Sequence, residues 1–340
     1  MKSRWVIAIM FIAALSGTAL FFRLSQHEPA TQIAQRVSLS NSASLNEPIT
    51  PIPLSIKLDS RKVALGRRLF LDPKLSSDNT ISCAHCHDLR NGGVDHLPLS
   101  RGIGGREVKF NALTVYNSGF NFRLFWDGRA ATLEDQIDFP LQDHSEMGSR
   151  WDDVIIKLKA DADYQRDFSA IYQDGISDQS VKDAIATFER SLITPNARFD
   201  RYLRGEKNVL DSHELEGYRL FKKLGCISCH QGMNVGGNMY EKLGLVGNYY
   251  TDRGHVRKED FGRYNLTGEE EDRYEFRVPS LRNVELTAPY FHDGSAATLY
   301  DAVKTMARYQ LGVELDEADI ARIVSFLHTL TGVFPDEAAR

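Results

Sequence analysis

Ile81-Ser82-Cys83-Ala84-His85-Cys86-His87 is the stretch on which the reading of this chain turns, and its Cys-x-x-Cys-His pattern recurs once, as Cys226-Ile227-Ser228-Cys229-His230. Two thiols three residues apart can each bond one vinyl group of a single porphyrin, and the imidazole that follows then lies under the ring, where it can bind iron. Each copy therefore predicts one covalently held c-type haem: Cys83 and Cys86 attach the first, with His87 as iron ligand, and Cys226 and Cys229 attach the second, with His230. The chain has four cysteines, and all of them fall in these two motifs. A four-thiolate zinc site or a redox dithiol would use the same cysteine spacing, but neither needs a histidine directly after the second cysteine. His85, inside the first motif, is read as a spacer that points away from the iron.

Outward from the motifs, 340 residues are enough for two domains that each bury a core. The net charge of −5 is mild and mixed along the chain, which argues against nucleic-acid binding and suits a basic or dipolar protein partner. Residues 1–24 carry Lys2 and Arg4 ahead of an uncharged run from Trp5 to Phe22 closed by Arg23, the layout of a signal peptide or a membrane anchor. Gly17-Thr18-Ala19 offers a cleavage site, yet Leu20-Phe21-Phe22 continue the apolar run, so an uncleaved inner-membrane anchor at residues 5–22 is the favoured expectation. Either form exports the rest of the chain to the periplasm, in keeping with covalent haem attachment outside the cytoplasm. Residues 25–54 are rich in Ser, Gln, Asn and Pro without an apolar period and are expected to form a flexible tether.

The haem motifs belong to a longer duplication. Arg68-Leu69-Phe70 precedes the first and Arg219-Leu220-Phe221 the second; further on, Trp126-Asp127-Gly128-Arg129-Ala130-Ala131-Thr132-Leu133 matches His292-Asp293-Gly294-Ser295-Ala296-Ala297-Thr298-Leu299. Val181, Ile185, Phe188 and Leu192 make one helical stripe after a Ser177 cap, and Ile320, Ile323, Val324, Leu327 and Leu330 make another before Gly332. His328, within that second stripe, is expected to be a packing histidine. The predicted fold class is mainly α, with two cytochrome c-like haem domains in tandem over residues 55–200 and 201–340, joined near 194–206, the last residues packing back on the first domain.

The duplication also predicts the far-side iron ligands. Leu299, Val303 and Met306 share one face of a helix beginning at Thr298, so Met306 can reach the second haem, where a thioether raises the reduction potential. The same offset in the first half gives Leu133, Ile137 and Pro140, and proline has no ligand atom. One iron is therefore expected to be open and reactive, the other closed and suited to electron transfer. Six residues beyond Pro140, Glu146 is expected to act as a proton-transfer group beside the open iron, with Gln136 supporting water or substrate and His144 as a competing acid–base group.

With these motifs, together with Phe125-Trp126-Asp127-Gly128-Arg129, Glu146-Met147, Tyr290-Phe291-His292-Asp293-Gly294 and Met306-Ala307-Arg308-Tyr309-Gln310-Leu311-Gly312, the chain resembles the bacterial di-haem cytochrome c peroxidases, a family that includes the MauG-type enzymes. The resemblance runs from about residue 55 to the C-terminus. It implies a low-potential peroxidatic first haem, a high-potential second haem, and Trp126 as the electron bridge between them. It also implies a calcium ion bound by the Asn111 side chain and the carbonyls of Thr287 and Pro289, and it allows a homodimer. Two departures bear on function. Many family peroxidases tie off the first iron with a loop histidine; here the loop reads Ser100-Arg101-Gly102-Ile103-Gly104-Gly105, with Ile103 in that place, which predicts activity without prior reduction unless His96 takes over. MauG-type enzymes carry tyrosine where this chain has Met306, which favours reduction of hydrogen peroxide with electrons from a small cytochrome c or cupredoxin. The alternatives are a MauG-like oxidase of a protein or organic substrate and a non-catalytic di-haem electron carrier.

Overall fold

The computed structural model describes residues 47–335. The fold is mainly helical, as predicted. In chain order the helices are α1 (Ser60–Leu71), α2 (Cys83–Cys86, the first haem motif itself), α3 (Leu133–Gln142), α4 (Trp151–Lys159), α5 (Ala162–Ile171), α6 (Asp178–Ser191), α7 (Arg198–Leu203), α8 (Ser212–Lys223), α9 (Tyr249–Arg253), α10 (Tyr264–Thr267), α11 (Leu299–Leu311) and α12 (Glu317–His328). A short antiparallel pair, β1 (Tyr240–Lys242) with β2 (Glu275–Arg277), sets Tyr240 opposite Arg277. The helix starts follow from local chemistry: Ser177 and Ser180 make a reciprocal cap on α6, Asp211 and Glu214 do the same on α8, and Thr132 and Thr298 cap the matching helices α3 and α11.

Two apolar clusters carry the halves. One joins Leu65, Leu69 and Phe70 of α1 to Val181, Ile185 and Phe188 of α6. The other joins Tyr218, Leu220 and Phe221 of α8 to Ile323, Phe326 and Leu327 of α12. Each crossing closes on a glycine that stands two residues before the repeated Arg-Leu-Phe. A Cβ on Gly66 would lie 1.9 Å from the Ala184 carbonyl oxygen, and one on Gly217 would lie 1.9 Å from that of Arg322. Alanine at either site gains about 1 kcal/mol of helix propensity but must push two helix backbones apart, which costs roughly 1–3 kcal/mol or more in a packed core. Gly217→Ala is expected to lower the unfolding midpoint, with a net loss of about 2 kcal/mol in denaturant titration; an unchanged midpoint would mean the helices separate freely.

The duplication is geometric as well as textual. Leu124 bridges Ala130 and Tyr290 bridges Ala296, and the residues that open the two turns, Phe125 and Phe291, both take positive φ, 68° and 71°. The turns are tied across the molecule: the Asn111 N–H donates to the His292 carbonyl (2.8 Å), and the Arg277 N–H donates to the Trp126 carbonyl (2.7 Å). Asn111 stands six residues before Asn117, and Arg277 six before Asn283, so equivalent positions in the two copies exchange equivalent bonds.

Two sequence expectations need correction. The tether expected to run through residue 54 ends earlier, because Ile49 and Ile52 are buried, Glu47 accepts from Tyr218 and Lys222, and Arg282 donates to the Thr50 carbonyl. His328 does not pack in the core. It sits at the solvent side of the last turn of α12, exposed, with Nδ1 3.7 Å from a Glu285 carboxylate oxygen. At the other end of the described chain Phe334 stands edge-on to Tyr116, with ring centroids 4.6 Å apart. Among the described residues no helix is long and apolar enough to cross a membrane; the run at 5–22 and His27 lie outside them.

Candidate functional site: two adjoining cavities

The sequence-predicted residues fall into two cavities. The first, of about 460 Å³, is lined by Cys83, Cys86 and His87 and also by Gln136, Pro140 and Glu146. The second, of about 220 Å³, is lined by Cys226, Cys229, His230 and Met306, with Asn111, Thr287 and Pro289 along its wall. Asn111, Trp126 and Arg277 line both. Trp126 is 8% exposed, its indole N–H donates to the Asn111 carbonyl at 3.0 Å, and its ring stands edge-on to His292. The tryptophan expected to bridge the haems is thus fixed in the partition between their cavities.

Each cavity fits the group its motif predicts. The cysteines form no disulfide, and burial raises the pKa of all four thiols, Cys86 up to about 12 and Cys226 up to about 11; the two pairs line different cavities, each beside its own histidine, rather than meeting as a four-thiolate site. Burial lowers the pKa of both histidines, His230 to about 4, which keeps them neutral and able to ligate a metal. His87 Nδ1 lies 3.3 Å from the Gly93 carbonyl, an arrangement that leaves Nε2 as the lone pair. His230 Nδ1 is buried, facing the carbonyls of Val235 and Pro279 without closing a hydrogen bond of good geometry.

Glu146 is half-buried at the cavity wall, and its carboxyl is raised from its ordinary 4.5 to about 6, first by burial and then by the charge of Asp143, against the opposing pull of Arg129 and Lys109. Its position is held through the backbone: the Ile103 N–H donates to the Glu146 carbonyl at 2.8 Å, and a Cβ on Gly102 would lie 2.0 Å from the Ser145 carbonyl. The loop that carries Ile103 therefore packs directly on the Glu146 turn, with the Ile103 side chain buried in the first core. His96 lines neither cavity; its two ring nitrogens lie 2.9 Å from the Ala288 carbonyl and 3.2 Å from that of Asn91. His144 is turned to solvent, its side chain 86% exposed, which removes it as a rival to Glu146.

Sequence reasoning missed three charged residues of the cavities. The Arg129 guanidinium lies 3.6 Å over the Phe125 ring and pairs with Asp127 at 2.8 Å; the signal was present, since the repeat has Ser295 in its place. Glu189 is buried in the first cavity wall with one oxygen unpartnered, and burial raises it to about 8, so it is largely protonated at neutral pH; nothing in the α6 pattern set it apart from a core position. The third is Arg277, on β2.

The cytochrome c551 peroxidase of Nitrosomonas europaea is 44% identical to this chain over 86% of each protein. The chain belongs to the di-haem cytochrome c peroxidase family. The family model matches residues 60–208 directly. The cytochrome c peroxidase Ccp of Escherichia coli is 50% identical over 85% of this chain, and the chain spans 62% of that relative's length. Among solved structures, a MauG-like protein associated with microbial copper homeostasis superposes with a TM-score of 0.74 at 30% identity, covering 86% of this chain and 96% of the other. Membership in the di-haem cytochrome c peroxidase family brings two c-type haems, one for each Cys-x-x-Cys-His motif.

Proposed function

We propose that this protein reduces hydrogen peroxide to water, drawing two electrons per turnover from a small cytochrome c or cupredoxin. The observation that carries this reading is the difference between two otherwise duplicated cavities: one combines a histidine with Pro140, Gln136 and Glu146, the other a histidine with Met306. Bound haem supplies the iron for peroxide cleavage and the redox centres for electron storage. Glu146, ionised above pH 6, takes the proton from one peroxide oxygen and returns it to the other as the O–O bond breaks, while Gln136 orients the substrate by hydrogen bonding. Two protons and two electrons are consumed for each peroxide, and two waters leave. Arg129 and Lys109 hold positive charge near Glu146. Trp126, buried between the cavities, is the short route for electrons from the Met306 side to the His87 side.

Ile103 in place of a loop histidine supports a site open in the fully oxidised protein. The side-chain oxygen of Asn111 and the carbonyls of Thr287 and Pro289 accept no hydrogen bond among the described residues, and three free oxygens on one cavity wall suit calcium, a hard cation. Covalent haem attachment supports a periplasmic location, with the run at 5–22 as signal or anchor. Met306 rather than tyrosine at the second cavity speaks against a MauG-like oxidase.

The test is steady-state peroxide consumption by the haem-loaded, fully oxidised protein with a reduced monohaem cytochrome c. Turnover at the first addition of peroxide, without pre-reduction, is expected. A lag removed by prior reduction would overturn the open-site reading, and no consumption under any condition would leave an electron carrier.

A further inference from the structure

Two arginines are buried among the described residues. Arg282, 1% exposed, forms an ion pair with the equally buried Asp200 at 2.7 Å and donates to the carbonyls of Met233 and Thr50. Arg277, 2% exposed, forms no ion pair among the described residues. Its Nε donates to the Phe125 carbonyl at 3.0 Å and its Nη1 reaches the Val278 carbonyl only at 3.5 Å. A buried cation without a counter-charge is costly, and burial pushes Arg277 down to about 10, which still leaves it charged at neutral pH. Asp127 and Asp143, which line the first cavity as Arg277 does, are engaged elsewhere, with Arg129 and with Lys109. The side chain lines both cavities, so the missing anion is one that enters with a ligand.

We propose that Arg277 is an anion site shared by the two haem cavities, its guanidinium receiving a haem propionate and its carbonyl bonds fixing Phe125-Trp126 beside that propionate. The chemistry matches, because a planar donor fork recognises a two-oxygen carboxylate better than a point charge does. The position matches too. Arg277 is the repeat counterpart of Asn111, and each donates its backbone N–H to the other copy's turn, at Trp126 and His292. The duplication is thus neutral at this point in one half and cationic in the other, which gives the partition one built-in positive charge. The inference rests on haem in both cavities and not on peroxide turnover.

The experiment is a redox titration of the di-haem protein, followed by haem absorbance at several pH values between 5 and 8, without peroxide. In Arg277→Gln at least one midpoint potential is expected to fall, because loss of the cation favours the ferric state. That haem is also expected to gain a pH-dependent potential as its propionate becomes titratable. Arg277→Lys restores part of both. A Gln variant with parental haem content and melting temperature whose potentials and pH slopes equal the parent's overturns the proposal. If the Gln variant does not fold, resonance Raman of the Lys variant decides: a shifted propionate bending band supports the contact, and an unchanged band overturns it.

Discussion

Glu146→Gln is expected to lower kcat for peroxide by about 10²- to 10⁴-fold, the range in which a positioned proton-transfer group acts, while both haem spectra stay as in the parent. The loss should not come from damage to the fold. Glutamine keeps the shape of the side chain, and the bond that anchors the turn, from the Ile103 N–H, ends on the backbone carbonyl and not on the carboxyl. Because burial raises this carboxyl to about 6, the folded protein holds its proton more tightly than the unfolded chain does. Whatever stability that proton contributes is complete below pH 4.5 and is lost as pH rises through 6. At pH 8 the ionised group opposes folding, so the Gln variant should melt no lower than the parent. Activity runs the other way: the base must be ionised, and turnover should fall on acidification through about pH 6. A variant that keeps parental turnover removes Glu146 from the reaction.

Met306→His is the second large effect. Exchange of the thioether for an imidazole should lower the midpoint potential of the second haem by a substantial part of the roughly 0.8 V that axial ligands span, leaving the first nearly unchanged. Met306 lies on α11 at the second cavity and packs beside Phe291 and Ala302, so the substitution acts inside one half. With the second centre no longer easily reduced, the steady state with a cytochrome donor should slow by a larger factor than cleavage of a single peroxide by protein supplied with electrons in advance. Redox titration and a single-turnover assay separate the two. A second-haem potential equal to the parent's would show that Met306 packs without ligating.

Much of this site could be read directly from the residues because covalent haem attachment demands fixed spacing, and because the chain repeats itself. The offset that picks out Met306 picks out Pro140 by the same count, and both side chains line the expected cavities. The helix starts at Ser177 and Thr298 were legible for a similar reason, since each is set by neighbours within one turn. What sequence could not show depends on partners far along the chain. Arg277 is buried beside Phe125 and Trp126, more than a hundred residues away, and no local pattern marks a guanidinium that lacks a carboxylate. Gly66 and Gly217 look like ordinary helix glycines until the crossing helices bring Ala184 and Arg322 against them. His328 misled because an apolar stripe does not say where a helix leaves the core. The end of the tether misled because Ile49 joins the core of the second half and Ile52 is fully buried, through contacts that composition cannot reveal.

The central claim is that the two centres are coordinated unequally, with nothing from the protein closing the iron on the Pro140 side. It is tested most directly by electron paramagnetic resonance of the fully oxidised di-haem protein, repeated after one electron per molecule has been added. The account predicts a high-spin or water-ligated signal from the His87 centre in both states, beside a low-spin His–Met signal that disappears on reduction. Two low-spin centres with two protein ligands each, in both states, would contradict it.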